Sequence, residues 1–269
     1  MRTDVTTVAA GAARAELGWR DAAGRLHATA VIPLVIDDAV VAALSFARTA
    51  TARRLDRATA ATLVFSDSRM AWKGWSACAV SARVTVTPDR SGEWTWTGAL
   101  DQEVRKYPPS RLLIDTAIQR REHWWYVPRW IVRLEPTGPL RQVARRAGPD
   151  DGVLFTVGAE GMTVDTVAVD DWDAERVRVL LLAGDGGGRR QGPAVLFTHD
   201  FSIPDQERST ELVVSGVVDA SELAVVDRTG ERHLAPPRLL HRLRAHYRLE
   251  RACSRALAAY DASPSAAAT

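Results

Sequence analysis

The chain contains two stretches that share the same features in the same order, and this internal repetition constrains its fold more than anything else. The turn glycine Gly24 has a counterpart in Gly161, and an apolar run begins sixteen residues after each of them, at Val40 and Val177. Four further matches follow in order: arginine pairs at 53–54 and 189–190, runs ending in aspartate at 62–67 and 195–200, valine-bounded runs at 80–84 and 214–218, and proline pairs opening 108–113 and 236–240. Such repetition predicts two copies of one unit, each of about 110–130 residues.

Each unit is predicted to be mostly β. The clearest strand is Trp75–Thr87, where small apolar residues alternate with polar ones with a period of two. Strands are predicted at 25–36, 40–46, 61–65, 75–87, 93–97 and 124–134 in the first unit, and at 153–157, 163–169, 177–182, 194–198, 211–218 and 223–226 in the second. Helices are predicted at 48–58, 101–107, 110–121 and 238–260. Pro33 favours an edge position or a bulge in its strand. The predicted domains are 18–136 and 150–260, the second including the C-terminal helix.

The composition of the chain gives no signal for a nucleic-acid or membrane partner. The formal net charge is only +2, so no strong field calls for nucleic acid or an anionic membrane. No apolar run approaches eighteen residues, which excludes a predicted membrane-spanning helix. Cys78 and Cys253 lie far apart and lack metal-ligand spacing, so we expect reduced thiols, no metal site and a cytoplasmic location.

The order of these elements resembles the pyridoxamine 5′-phosphate oxidase-like superfamily of split-barrel flavoproteins. The resemblance is carried by Asp21–Gly24, Val40–Phe46, Arg53–Leu55, Thr62–Asp67 and Val80–Val84. It implies six-stranded Greek-key barrels that pair, with FMN or the deazaflavin F420 in the cleft between them. Two tandem copies in one chain would then form an internal pseudo-dimer, either as a monomer or as a homodimer of such chains.

The resemblance also implies a cofactor-binding segment after the second hairpin strand. That segment usually carries Ser or Thr, a Lys two residues later, and then a Leu. Here Thr49 and Leu55 match the hydroxyl and the leucine, but Thr51 stands where the lysine would be, and Arg48 or Arg53 could supply the positive charge. The second unit has glycines at 186–188 instead, so we expect it to have lost its own site.

Lys73 lies between Trp72 and Trp75 in the sequence, and this segment could border the cofactor ring or the substrate. The predicted cofactor-binding residues are therefore Arg48, Thr49, Thr51, Arg53, Lys73 and Trp75, and no catalytic side chain stands out. The leading hypothesis is an FMN- or F420-dependent oxidoreductase acting on a small organic substrate, in which the cofactor carries the chemistry. Two alternatives remain open: a haem protein on the same scaffold, with His123 or His199 as axial ligand, and a cofactor-free binding module.

Overall fold

The computed structural model describes residues 4–72, 75–158, 161–183, 190–236 and 239–263, with the side chains of 239–242 excepted. The described residues are mostly β, as the sequence predicts. The strands are β1 (Ala15–Arg20), β2 (Leu26–Val31), β3 (Leu34–Ile36), β4 (Ala39–Ser45), β5 (Ala60–Phe65), β6 (Cys78–Asp89), β7 (Arg129–Pro136), β8 (Arg141–Gln142), β9 (Asp151–Gly158), β10 (Gly161–Val169), β11 (Arg176–Leu181), β12 (Gln191–Phe201), β13 (Ser209–Asp219) and β14 (Glu222–Gly230). The α-helices are α1 (Val5–Gly11), α2 (Thr49–Asp56), α3 (Ala99–Lys106), α4 (Arg111–Ile114), α5 (Ala117–Glu122) and α6 (Leu239–Asp261).

The first eight strands form one antiparallel sheet. Its neighbours follow the order β2-β1-β5-β6-β7-β4-β3, and β8 pairs with β6. Only Ile32 and Pro33 separate β2 from β3, and because proline has no N–H to donate, the ladder is interrupted there. Taken as one bent strand, β2 and β3 join the two ends of the order, so six strands enclose the first core.

The remaining six strands form a closed barrel in the order β10-β11-β14-β13-β12-β9. We number the six strands of each barrel in chain order, taking β2 and β3 as one strand and leaving out β8. In both barrels the order of neighbouring strands is then 2-3-6-5-4-1. The two barrels therefore share one topology. This agreement confirms the two copies of one unit predicted from the internal repetition and the six strands per barrel that the resemblance implies.

Most of the repeated sequence features fall on equivalent strands. Val40 and Val177 lie in the third strands, and the runs 62–67 and 195–200 cover the fourth. The proline match does not correspond, because Pro108 precedes the sixth strand of its barrel whereas Pro236 follows the sixth strand of the other. The first barrel carries a helical insertion between its fifth and sixth strands, where the second has a short turn.

Three segments differ from the sequence prediction. Strand β1, Ala15–Arg20, lies before the first strand that the sequence predicts, at 25–36. Residues 93–97 are not a strand: Glu93–Trp96 form a 3₁₀ helix, since the Asp89 carboxylate accepts the backbone N–H groups of Gly92 (2.7 Å), Glu93 (3.0 Å) and Trp94 (2.7 Å). Trp124–Tyr126 form another 3₁₀ helix, and the last strand of the first barrel begins only at Arg129.

The C-terminal helix α6 follows the second barrel in sequence but packs on the first. Cys253 and Leu257 are buried in the core of the first barrel. The Tyr260 ring meets Phe46 and Trp130 edge-on, with centroids 5.8 and 5.5 Å apart. The helix therefore ties the end of the chain back to the first unit.

Candidate functional site

The two barrels meet along a seam with an apolar centre. The first barrel contributes Leu26, Ala28, Ala30, Val64 and Ala79, and the second Val153, Phe155, Val164, Val195 and Phe197. The barrels pack tightly at Gly18, where an added Cβ would lie 2.3 Å from the Phe155 ring. Only glycine permits that contact, so the sequence fixes how closely the barrels pack.

A buried polar network also joins the two barrels to the linker between them. Glu16 Oε1 accepts hydrogen bonds from Arg146 Nη2 (2.9 Å) and Ser66 Oγ (2.8 Å), and it lies 3.0 Å from His199 Nε2. Glu16 and Ser66 belong to the first barrel, His199 to the second and Arg146 to the linker. All four residues are at most 2% exposed.

The electrostatics of this network keep Glu16 ionised. Burial alone would raise the pKa of the carboxyl, but the charge of Arg146 and the hydrogen bonds from His199 and Ser66 outweigh it and lower the pKa to about 2. The guanidinium of Arg146 also donates to Ser66, Thr198 and two backbone carbonyls. Since these groups are paired and buried, we interpret the network as holding the seam together and not as a reaction centre.

One side of the seam opens into a cavity of about 640 Å³. We call it the linker cleft, because the linker residues Gly138, Pro139 and Arg141 form part of its wall. The first barrel supplies Thr62 and 79–81, and the second supplies 156–158, 162–165, Arg190 and Gln191. This volume lies in the range of about 300–1,000 Å³ typical of small-molecule sites.

The lining of the linker cleft combines positive charge, hydroxyl groups and apolar walls. Arg190 Nε donates to Asp165 Oδ2 at 2.8 Å, and Arg141 Nη2 donates to the carbonyl of Val164. The hydroxyls of Thr156 and Thr163 lie 2.6 Å apart. Two guanidinium groups against one carboxylate leave a net positive charge. This arrangement suits a flat organic molecule that carries an anionic group.

The sequence-predicted residue Arg48 also reaches the seam, where β2 faces β13. Its Nη2 donates to Thr29 Oγ1, and its Nη1 lies 4.0 Å from Glu211 Oε1 of the second barrel. The Thr49 hydroxyl is already occupied, because it donates to the carbonyl of Phe46 (2.6 Å) and accepts from Trp130 Nε1 (2.9 Å).

The other sequence-predicted residues lie elsewhere. Thr51 is half-buried and Arg53 is exposed, both on α2. Trp75 is buried and packs against Gly11 of α1. Lys73 lies outside the described residues.

The two histidines considered as haem ligands are engaged in other contacts. His199 Nε2 faces Glu16 inside the buried network. His123 Nδ1 lies 3.1 Å from the carbonyl of Gln119, and its ring meets Trp125 and His246 edge-on. Neither histidine lines the linker cleft.

The two arginines that line the linker cleft, Arg141 and Arg190, were not singled out from the sequence. Arg190 belongs to the repeated arginine pair, and that repetition is a signal that could have found it. Arg141 follows the Pro-Thr-Gly-Pro boundary and looks in sequence like any linker residue. Within the part of the chain that the structure describes, no helix is long and apolar enough to span a membrane, and no three ligating side chains cluster as a metal site would need.

Comparison with known proteins returns matches among solved structures alone. No family model matches the chain, and no curated protein does. A heme binding protein from Mycobacterium smegmatis is 13% identical with a TM-score of 0.34, over 95% of this chain and 98% of that one. HutZ, the heme storage protein from Vibrio cholerae, is 16% identical with a TM-score of 0.36, over 53% of this chain and 95% of its own.

A third match is a pyridoxamine 5′-phosphate oxidase-related, FMN binding protein from Nostoc punctiforme. It is 11% identical with a TM-score of 0.29, over 76% of this chain and 86% of that one. The strand order of the two barrels establishes the fold. The chain is a tandem split-barrel protein. Its two barrels enclose the linker cleft, which is large enough for a small molecule.

Proposed function

We propose that this tandem split-barrel protein binds a phosphorylated flavin in the linker cleft and acts as an oxidoreductase on a small organic substrate. The observation that carries the proposal is the composition of the cleft: about 640 Å³ of space between two barrels, with Arg141 and Arg190 at its wall. An arginine fork binds a phosphate bidentately, and hydroxyl groups add further donors. Val157, Met162 and Val164 offer apolar surface for a flat ring.

The same lining favours a flavin over haem. Haem iron is usually held by His, Cys, Met or Tyr. Among the described residues that line the linker cleft, only Met162 belongs to that set. A phosphorylated flavin, by contrast, needs cations and hydroxyl groups, and the cleft supplies both.

The protein's contribution would be to bind and orient. Arg141 and Arg190 would hold the phosphate, the hydroxyls of Thr156 and Thr163 would hydrogen-bond the cofactor, and the apolar walls would exclude water. When bound, the flavin supplies the hydride or electron transfer. F420 also carries a phosphate and is tested beside FMN.

A binding experiment tests the proposal. The purified chain is titrated with FMN, F420 and hemin, and its absorption spectrum and melting temperature are followed. A ligand at a hundred times its dissociation constant stabilises a protein by about 2.7 kcal/mol, which shifts the melting temperature measurably. If none of the three shifts it, the chain is a cofactor-free module and the proposal is wrong. Stabilisation by hemin alone would support the haem alternative.

Variants then locate the site. R141M and R190M are each expected to weaken FMN binding about tenfold or more, because a charge-assisted hydrogen bond to the phosphate is lost. R53M, at an exposed position of α2, is the matched control and should bind as the unsubstituted chain does. The opposite pattern, with R48M and R53M impaired, would move the cofactor to the segment predicted from the sequence.

A further inference from the structure

A second cavity of about 320 Å³, which we call the side lobe, lies beside the linker cleft. Thr62, Ser81 and Met162 line both cavities, so the two are neighbours across one shared wall. Thr62 of β5 and Ser81 of β6 are cross-strand partners. Their polar side chains therefore lie next to each other on the outer face of the first barrel, and Met162 of the second barrel lines the same cavity.

The side lobe exists because small side chains line it. Ala58 and Ala60 flank the start of β5, and Thr59 and Thr137 add short polar groups. Its volume lies at the lower end of the range for small-molecule sites. The side lobe is therefore too small for a phosphorylated flavin but large enough for a compact substrate.

The side lobe has one charged residue among its described lining, Arg83. Residues two apart on a strand share a face, so Arg83 lies on the same side of β6 as Ser81. Arg83 Nη1 is 3.9 Å from Glu135 Oε2, which is a loose contact, and the Arg83 side chain is 73% exposed. A guanidinium so weakly held can turn toward an anionic ligand at little cost.

We propose that the side lobe is the substrate subsite of the linker cleft and that it takes a small organic carboxylate, which Arg83 binds. This inference rests on the proposed function, because the cofactor must occupy the larger cavity for the side lobe to lie beside it. Thr62 and Ser81 would hydrogen-bond the substrate at the boundary, and Met162 would separate the carboxylate end from the cofactor. Arg83 is thus a specificity-determining residue.

The test uses benzoate as the anionic probe and benzamide as its uncharged analogue. FMN-loaded protein is titrated with each, and perturbation of the visible flavin absorption reports binding beside the cofactor. Benzoate is expected to perturb the spectrum and benzamide to do so only at much higher concentration. The R83M variant should bind benzoate about fivefold or more weakly while its FMN affinity stays within about twofold.

R133M is the matched control, because Arg133 lies on the neighbouring strand and contacts the same carboxylate, Glu135, at 3.8 Å. It should bind benzoate as the unsubstituted chain does, and E135Q should bind benzoate more tightly. If FMN does not bind, the proposed function has failed. If FMN binds but benzoate leaves the spectrum unchanged, or R83M and R133M behave alike, the cofactor site stands and the substrate subsite is wrong.

Discussion

The two sides of the seam carry equivalent strands with different side chains. Gly18 and Phe155 meet at the centre of the seam, one on the first strand of each barrel. The next residue along each strand is Trp19 in one barrel and Thr156 in the other. Trp19 pairs across the ladder with His27 of the second strand. Thr156 pairs in the same way with Thr163.

These equivalent pairs fill space differently. The indole of Trp19 and the imidazole of His27 stack with their centroids 5.2 Å apart. Thr156 and Thr163 place only two hydroxyls at the corresponding position and line the linker cleft. Trp19 packs in the core of the first barrel, whereas Thr156 and Thr163 border the linker cleft.

The charged residues of the two sides remain similar. In each barrel, one arginine lies in the connection between the third and fourth strands and donates a hydrogen bond to a side chain of the second strand. Arg48 donates to Thr29 in the first barrel, and Arg190 donates to Asp165 in the second. Equivalent arginines are therefore present in both barrels, while the side chains around them differ in size. The linker passes along the roomier side and contributes Arg141 to it.

The largest expected effect comes from the linker's buried arginine. R146M removes the partner of Glu16 and leaves its carboxylate buried without a cation, which costs about 3–5 kcal/mol. Chemical denaturation monitored by tryptophan fluorescence measures the change. The neighbouring variant R145M removes an exposed arginine that donates to the carbonyl of Trp75 and should cost no more than about 1 kcal/mol. Equal losses of unfolding free energy in R146M and R145M would show that the Glu16–Arg146 network does not stabilise the contact between the linker and the barrels.

Removing the ring pair should cost nearly as much. W19T replaces an indole that is 3% exposed and leaves a cavity, so we expect a loss of about 3–5 kcal/mol in unfolding free energy. W19F is the control: the Trp19 indole N–H has no hydrogen-bond partner, and phenylalanine keeps most of the apolar contact, so the loss should stay near 1 kcal/mol. A W19T protein as stable as W19F would contradict the view that the Trp19 indole fills space in the first core.

Acid should weaken the seam through Glu16. Its folded pKa of about 2 lies below the ordinary 4.5, so the ionised carboxylate stabilises the fold fully above pH 4.5. That stabilisation, about 3 kcal/mol, is lost as the pH falls from 4.5 toward 2. Denaturation curves over this window should show a smaller pH dependence in E16Q than in the unsubstituted chain. Identical pH dependence would place the acid sensitivity elsewhere.

Much of the fold was predictable because strand patterns and the repeat are local in sequence. All six strands of the second barrel fall where the sequence predicts them. Strand β1 was missed because Ala15–Arg20 includes Glu16 and Gly18, which are poor strand formers. Both have long-range reasons to be there: Glu16 meets a linker arginine and Gly18 meets a ring of the other barrel.

The candidate site was less predictable, because it depends on the relative placement of the barrels. The resemblance directed attention to the arginines near the third strand of the first barrel, and Arg48 does reach the seam. Thr156 lines the linker cleft, whereas its counterpart Trp19 lies in the core of the first barrel. Those two residues are equivalent only once the strand pairings are known.

The smallest expected change in stability comes from filling the linker cleft. Thr163 is exposed, so T163W should alter the unfolding free energy by about 0.5 kcal/mol or less beyond the loss of its hydroxyl contact with Thr156. The indole would nevertheless occupy the cleft, which Thr163 lines, and FMN binding should fall more than tenfold. T163V removes the hydroxyl without adding bulk, so it separates the two effects and should retain most of the affinity. FMN bound equally by T163W and T163V would mean that the ligand lies outside this cleft, because a side chain of that size cannot share the space with a flavin.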